Sequence, residues 1–162
     1  MARSASREDL RLMARAFDWS TDHGPVLSWM MANKSMDLAS AITVFFNGDP
    51  ARFNYISKRA VPIEHRGSTK LLDNICLRIN SGFYRASNSV RVDNRNRLDH
   101  WLMFQEADRN EGRRGRWILD EQIIERALTP AGPSPEMQAV EDLRPQEVPQ
   151  PIIEPGPVTS AI

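Results

Sequence analysis

Hydrophobic side chains recur every three to four residues through most of the chain up to residue 128, which is the spacing of amphipathic helices. The first such segment follows Ser6, whose hydroxyl suits a helix N-cap, and acidic residues follow it directly. The expected inner face of this first helix consists of Leu10, Met13, Ala14 and Phe17.

A second, short helix is predicted to begin at Gly24-Pro25, because proline is well tolerated in the first turn of a helix. Val26, Trp29 and Met30 are expected to share its inner face, so Trp29 is predicted to be a core residue.

A third helix is predicted with Ser35 as its candidate N-cap. Asn47-Gly48 is expected to end it, because both residues tolerate the left-handed conformation. A short helical turn from Asp49-Pro50, holding Phe53, should follow. The inner stripe of the third helix consists of Leu38, Ala41, Ile42 and Phe45.

Three more helical patterns follow. Ser68 is the predicted cap of the clearest one, which Gly82 ends, and residues 83–94 are ambiguous between loop and extended structure. Asp120 is the predicted cap of the last helix. The expected inward residues of these helices are Leu71, Leu72, Ile75, Cys76, Ile79, Leu98, Trp101, Leu102, Ile123, Ile124, Ala127 and Leu128.

The helical pattern stops after Thr129, and eight of the 11 prolines lie between Pro130 and Pro157. Prolines remove backbone donors, and this segment has few large apolar residues to offset the entropy of ordering. We therefore expect an all-α fold: one irregular domain of six or seven helices over residues 1–129, and a disordered, acidic, proline-rich tail over residues 130–162.

The composition indicates the class of protein and its expected location in the cell. Hydrophobic residues make up 41% and charged residues 26% of the 162 residues, which is ordinary for a globular protein. No apolar run reaches the roughly 18 residues that predict a transmembrane helix, and the first residues lack the apolar core of a signal peptide. A cytoplasmic protein without membrane contact is expected. Cys76 is the single cysteine, so an internal disulfide is impossible, and its place on an apolar stripe predicts a buried, inert thiol.

The stretch from Asp18 to Asp49 holds a polar turn, a helical pattern, a polar link and a second helical pattern rich in aromatic residues. Its distinctive residues are Asp18, Trp19, Asp22, Gly24, Trp29, Asp37, Leu38, Ala41, Phe45 and Phe46. This stretch resembles an uncharacterised family of small bacterial domains of unknown function, whose members carry an N/D-W-D-D-G-like turn, a helix, a polar link and an A-L-x-x-F-aromatic helix. The resemblance implies an all-helical module and transfers no catalytic residue.

Catalytic signatures are absent, so the favoured function is a non-enzymatic, protein-binding module, such as an adaptor or a toxin-neutralising, immunity-like partner, with no cofactor. Trp19 is predicted either to hold its turn against the first helix or to anchor a contact. Two polar turns should meet if helices two and three form a hairpin. The predicted partner-binding residues are Trp19, Asp22, His23, Asp49 and Arg52.

Two alternatives stay open. Arginines and aromatic residues are interleaved over residues 83–117, a composition that can hold phosphates and stack bases. The residues expected to bind nucleic acid are Arg113, Arg114, Arg116 and Trp117. The second alternative is a metal-dependent enzyme, which needs His23, His65 and His100 to converge in space. Their spacing fits no metal-binding motif, so no metal site is predicted.

Overall fold

A computed structural model describes residues 5–20 and 24–129, and these residues form an all-α fold, as the sequence predicts. Within them there is no β-strand, only one isolated bridge between Asp37 and Arg85. The predicted tail, residues 130–162, lies outside the described part. The helices are α1 (Arg7–Arg15), α2 (Gly24–Met31), α3 (Leu38–Asn47), α4 (Arg66–Asn80), α5 (Arg95–Asn110) and α6 (Glu121–Leu128), with 3-10 turns at Pro50–Phe53 and Ile63–His65.

Helix α3 lies at the centre of the domain. All nine of its residues from Leu38 to Phe46 are buried, because the helix is apolar on nearly every face. The ring of Phe45 makes edge-on contacts with Phe46, Trp101 and Trp117, at centroid distances of 5.3, 5.9 and 6.2 Å. Burial of such large side chains contributes roughly 1.5–3 kcal/mol each. Helix α3 is therefore the element on which α5 and the segment near Trp117 converge.

Helix α1 begins as the sequence predicts. Ser6 accepts a hydrogen bond from the backbone N–H of Asp9, and the Asp9 carboxylate accepts one from the backbone of Ser6, which completes a capping box. Leu10 and Ala14 are buried. Met13, predicted to face inward, is 55% exposed. The buried face of this short helix is therefore narrower than the face that the apolar residues of the sequence predict.

The cap of α3 is Asp37, so the prediction of Ser35 is wrong. The Asp37 carboxylate accepts hydrogen bonds from the backbone N–H and the hydroxyl of Ser40, both at 2.8 Å, and lies 3.1 Å from Arg11 Nε of α1. Ser35 instead donates to the side chain of Asn33 in the preceding turn. Because Met36 is buried, the chain enters the core before the helix starts.

The prediction that Trp29 is a core residue is also wrong. Its side chain is 62% exposed, and Val26 is exposed as well. The inward face of α2 is formed by Leu27, Met30 and Met31. Helix α2 has no charged residue, so the sequence offers no polar stripe to mark its outer face.

Helix α4 begins three residues earlier than predicted. Its cap position is His65, which makes no side-chain capping hydrogen bond, and Ser68 lies inside the first turn. Gly82 follows the helix in the left-handed conformation (φ 73°), as expected for a C-terminal stop. At the end of α3 the left-handed residue is Asp49 (φ 52°), whereas Gly48 has φ −75°.

An extended segment, residues 116–120, crosses the domain without a β-partner. Three side-chain amides satisfy its backbone instead. Asn54 Oδ1 accepts from Trp117 N, Gln105 bonds both the N–H and the C=O of Leu119, and Asn80 bonds Asp120 N and the carbonyl at position 118. These contacts fix the segment to α4, to α5 and to the turn after Pro50–Phe53. Asp120 then caps α6 as predicted.

Candidate functional site

An open groove lies between the start of α2, the end of α3 and the start of α4. Its volume is about 970 Å³. Three of the predicted partner-binding residues, Trp19, Asp49 and Arg52, line this groove together. The other two, Asp22 and His23, lie outside the described residues. The described members of the predicted set thus lie beside one groove.

The floor of the groove is built around Gly48. A Cβ atom at this position would lie 2.8 Å from both Trp19 Cη2 and Leu72 Cδ2. Only glycine lets the indole ring and the leucine approach the backbone this closely. Trp19 is half-buried and packs on the hydrophobic core. Its indole thus holds its turn against α3 and α4 while also lining the groove.

Four charged side chains line the groove: Asp49, Arg52, Glu64 and Lys70. None of them makes an ion pair within the part of the chain that the structure describes. Asp49 stands before the turn Pro50–Phe53 but does not cap it with its side chain. The guanidinium of Arg52 lies over the Phe53 ring, 5.2 Å from its centroid. The groove therefore presents two positive and two negative charges to solvent.

Helix α2 adds an exposed tryptophan beside this groove. Pro25 and Ser28 line the groove, and Trp29 follows them at the i+4 and i+1 positions of the same helix. Because residues four apart share a helix face, Trp29 lies on the side of α2 that carries Pro25. The sequence could have signalled this, since Leu27, Met30 and Met31 form an equally good inner stripe that leaves Trp29 outside.

Three of the residues predicted to bind nucleic acid, Arg113, Arg114 and Trp117, line one pocket beside α5, but most of the predicted set is engaged by partners within the domain. Arg116 forms a bidentate pair with Asp73 at 3.0 and 2.9 Å, and Trp117 is only 3% exposed. Arg113 pairs with Asp108. Arg114 is exposed and has no ion pair among the described residues. A buried Trp117 cannot stack on a base, so the predicted role of this residue is wrong.

Cys76 and two of the three histidines lie in the part of the chain that the structure describes. Burial raises the pKa of Cys76 to about 11, which keeps the thiol protonated near neutral pH. His65 packs against Phe53, with ring centroids 5.2 Å apart, and His100 is exposed on α5. His23 lies outside the described residues. Among those described, no group of three or more metal-binding side chains occurs.

Across residues 5–20 and 24–129, no helix has the length and apolar character needed to cross a membrane. Comparisons with protein-family models, with curated proteins and with solved structures gave no match for this chain. The resemblance of residues 18–49 to a family of small bacterial domains therefore stays a prediction.

Proposed function

We propose that this chain is a non-catalytic protein-binding module that takes a segment of another polypeptide into the groove lined by Trp19, Asp49 and Arg52. An adaptor or a toxin-neutralising partner would use such a surface. The observation that carries the proposal is the set of four charged groove residues without ion pairs among the described residues, beside an exposed tryptophan.

The charges of the groove favour a polypeptide over a nucleic acid. A phosphate backbone calls for a cluster of positive charge, whereas Asp49 and Glu64 would repel it. A polypeptide can offer both signs of charge, and complementary pairs across an interface speed association and select the partner. Elsewhere in the domain, arginines such as Arg113 and Arg116 are held in ion pairs. The charges of the groove remain available to a partner.

Trp29 supplies the apolar part of this surface. Tryptophan is enriched among the residues that dominate binding energy, because a large ring can be fully desolvated by the partner. With 62% of its side chain exposed, Trp29 has most of this area still to bury. We expect it to be the anchor of the interface, with Asp49 and Arg52 giving charge specificity.

Site-specific photo-crosslinking in the native cell tests the proposal. A photoreactive phenylalanine analogue at position 29 should capture a discrete polypeptide. The same analogue at position 77 should not, because Leu77 is 69% exposed on α4 but does not line the groove. With the purified partner, Trp29→Ala should weaken binding at least about tenfold, as expected for an interface anchor. Arg52→Gln and Asp49→Asn should each weaken it by roughly two- to tenfold.

Arg126→Gln is the matched control, since Arg126 is exposed on α6 away from the groove. It should leave the affinity unchanged. Asp49→Asn removes charge while keeping a residue that tolerates φ 52°. Equal capture from positions 29 and 77, or crosslinks to nucleic acid alone, would refute the proposal.

A further inference from the structure

A second cavity, which we call the aromatic pocket, opens between α5 and the loop that precedes Trp117. Its volume is about 440 Å³, which is within the range of small-molecule sites. Tyr55 and Phe104 line it and are 57% and 60% exposed. Both rings are largely exposed to solvent on one concave surface, so a ligand that bound there could bury their apolar area.

Tyr55 is held in place by a polar network. Its hydroxyl donates to the carboxylate of Asp108, and the same carboxylate accepts from Arg113 Nε at 2.9 Å. The Arg113 guanidinium also lies over the Tyr55 ring, 5.3 Å from its centroid. The hydrogen bond from Tyr55, together with Arg113, holds the pKa of Asp108 below its ordinary value. Both oxygens of Asp108 thus have hydrogen-bond partners within the pocket, and the positive charge of Arg113 balances the negative charge of the carboxylate.

Two hydrogen-bond donors of the aromatic pocket, on Arg114 and Trp101, have no ion pair or acceptor among the described residues. Arg114 lines the pocket and has no ion pair among the described residues, whereas Arg109 pairs with Glu121 and Arg113 with Asp108. Trp101 also lines the pocket, and its buried indole N–H has no hydrogen-bond acceptor in the described part of the chain. A ligand that matches this site must bring acceptors or negative charge.

We propose that the aromatic pocket binds a small planar aromatic anion, with its ring against Tyr55 and Phe104 and its carboxylate or phosphate on Arg114. Aromatic walls favour a flat ring, and a free guanidinium favours an oxyanion in bidentate geometry. Different residues of the turn Pro50–Phe53 line the two cavities: Arg52 and Phe53 line the groove with Trp19, whereas Ala51 lines the aromatic pocket. The inference is independent of the proposed protein-binding function.

Two-dimensional NMR titration of the full chain tests this inference. The probes are indole-3-carboxylate, adenosine 5′-monophosphate and uncharged indole. The carboxylate, the nucleotide or both should shift the indole N–H resonance of Trp101, which Trp101→Phe assigns by removing it. Indole, which lacks the anion, should bind at least about fivefold more weakly than the anionic probe. Which of the two anions binds more tightly identifies the source of the ligand, and either result supports the site.

Phe104→Ala should weaken binding of the anionic probe at least about tenfold. Met103→Ala is the matched control: Met103 is the preceding residue on α5, is 55% exposed, and does not line the pocket. It should change the affinity less than about twofold. Arg114→Gln should weaken the anionic probe roughly five- to tenfold and leave indole unaffected, whereas Arg126→Gln should do neither.

Three results would overturn the inference. Equal losses in Phe104→Ala and Met103→Ala would show general hydrophobic adsorption. A preference for the anionic probe over indole that stays unchanged in Arg114→Gln would place the anion elsewhere. A single-stranded oligonucleotide that binds more than about a hundredfold more tightly than the mononucleotide, with steep salt dependence, would make the site part of a nucleic-acid track instead.

Discussion

At some positions of this protein, contacts with residues distant in sequence, and not the local sequence pattern, determine which residue is required. Asn47-Gly48 reads as a left-handed helix stop, yet Gly48 has φ −75° and the left-handed residue is Asp49. The glycine is required for space, because the Trp19 ring and Leu72 lie over its backbone. A sequence can mark such a glycine, but it cannot say that a tryptophan 29 residues earlier is the reason.

Gly48→Ala should therefore destabilise the domain by about 1–3 kcal/mol, since the new Cβ would sit 2.8 Å from Trp19 Cη2 and force the ring or Leu72 to move. Urea unfolding measures the change. Gly67→Ala is the matched control: Gly67 also lines the groove and lies in the first turn of α4, but a Cβ added there would meet no atom within 4 Å. It should be neutral or stabilising by up to about 1 kcal/mol. Equal effects of the two substitutions would contradict the role of close packing at Gly48.

Whole elements were predictable where their apolar stripe was sharply bounded by polar residues. Helix α6 has its predicted cap at Asp120 and buries Ile124, and α4 buries its predicted stripe although it starts earlier. The predicted inner face of α2 was wrong because this helix has no charged residue to mark its outer face. The groove could be predicted in part, from turns that flank helices. The extended segment 116–120 could not, because Gln105–Leu119 and Asn54–Trp117 join residues 14 and 63 positions apart. The aromatic pocket could not either, because Tyr55 and Asp108 are 53 positions apart.

Gln105 is the clearest test of how the segment 116–120 is held. Its amide bonds both backbone groups of Leu119, at 2.9 and 2.8 Å, and only 9% of the side chain is exposed. Gln105→Met keeps the side-chain length but leaves a buried N–H and C=O unpaired, each costing about 1–3 kcal/mol. We expect a loss of roughly 2–4 kcal/mol in the free energy of unfolding. Gln122→Met, at an exposed position of α6, should cost less than about 0.5 kcal/mol. A loss no larger in Gln105→Met than in this control would mean that the amide does not support the segment.

At the scale of the domain, Asp73 joins α4 to two other parts of the chain, the loop at Lys58 and the segment 116–120. Its carboxylate accepts from Arg116 and from the indole N–H of Trp117 at 2.9–3.0 Å, and Lys58 Nζ lies 3.5 Å away. Partial burial acts to raise the pKa of Asp73. The hydrogen bonds and charges of its partners outweigh burial and hold the pKa below its ordinary value of 3.8. The ionised form is thus favoured by folding.

A carboxyl whose pKa is lowered by folding stabilises the protein above its unfolded value, and this stabilisation is lost as the pH falls through the folded value. For Asp73 the contribution is therefore present at neutral pH and is lost progressively below about pH 3.8.

Asp73→Asn should lower the free energy of unfolding at pH 7 by about 1–3 kcal/mol, because hydrogen bonds to a charged acceptor are replaced by weaker ones. The gap between the two proteins should narrow as the pH falls below 3.8, because the Asp73 carboxyl of the unfolded chain then binds a proton that folding must release. Urea titrations at pH 7, 5 and 3 measure it, with Glu125→Gln, an exposed acid on α6, as the control. A gap that stays constant over this range would show that packing around Asp73, and not its charge, ties these elements together.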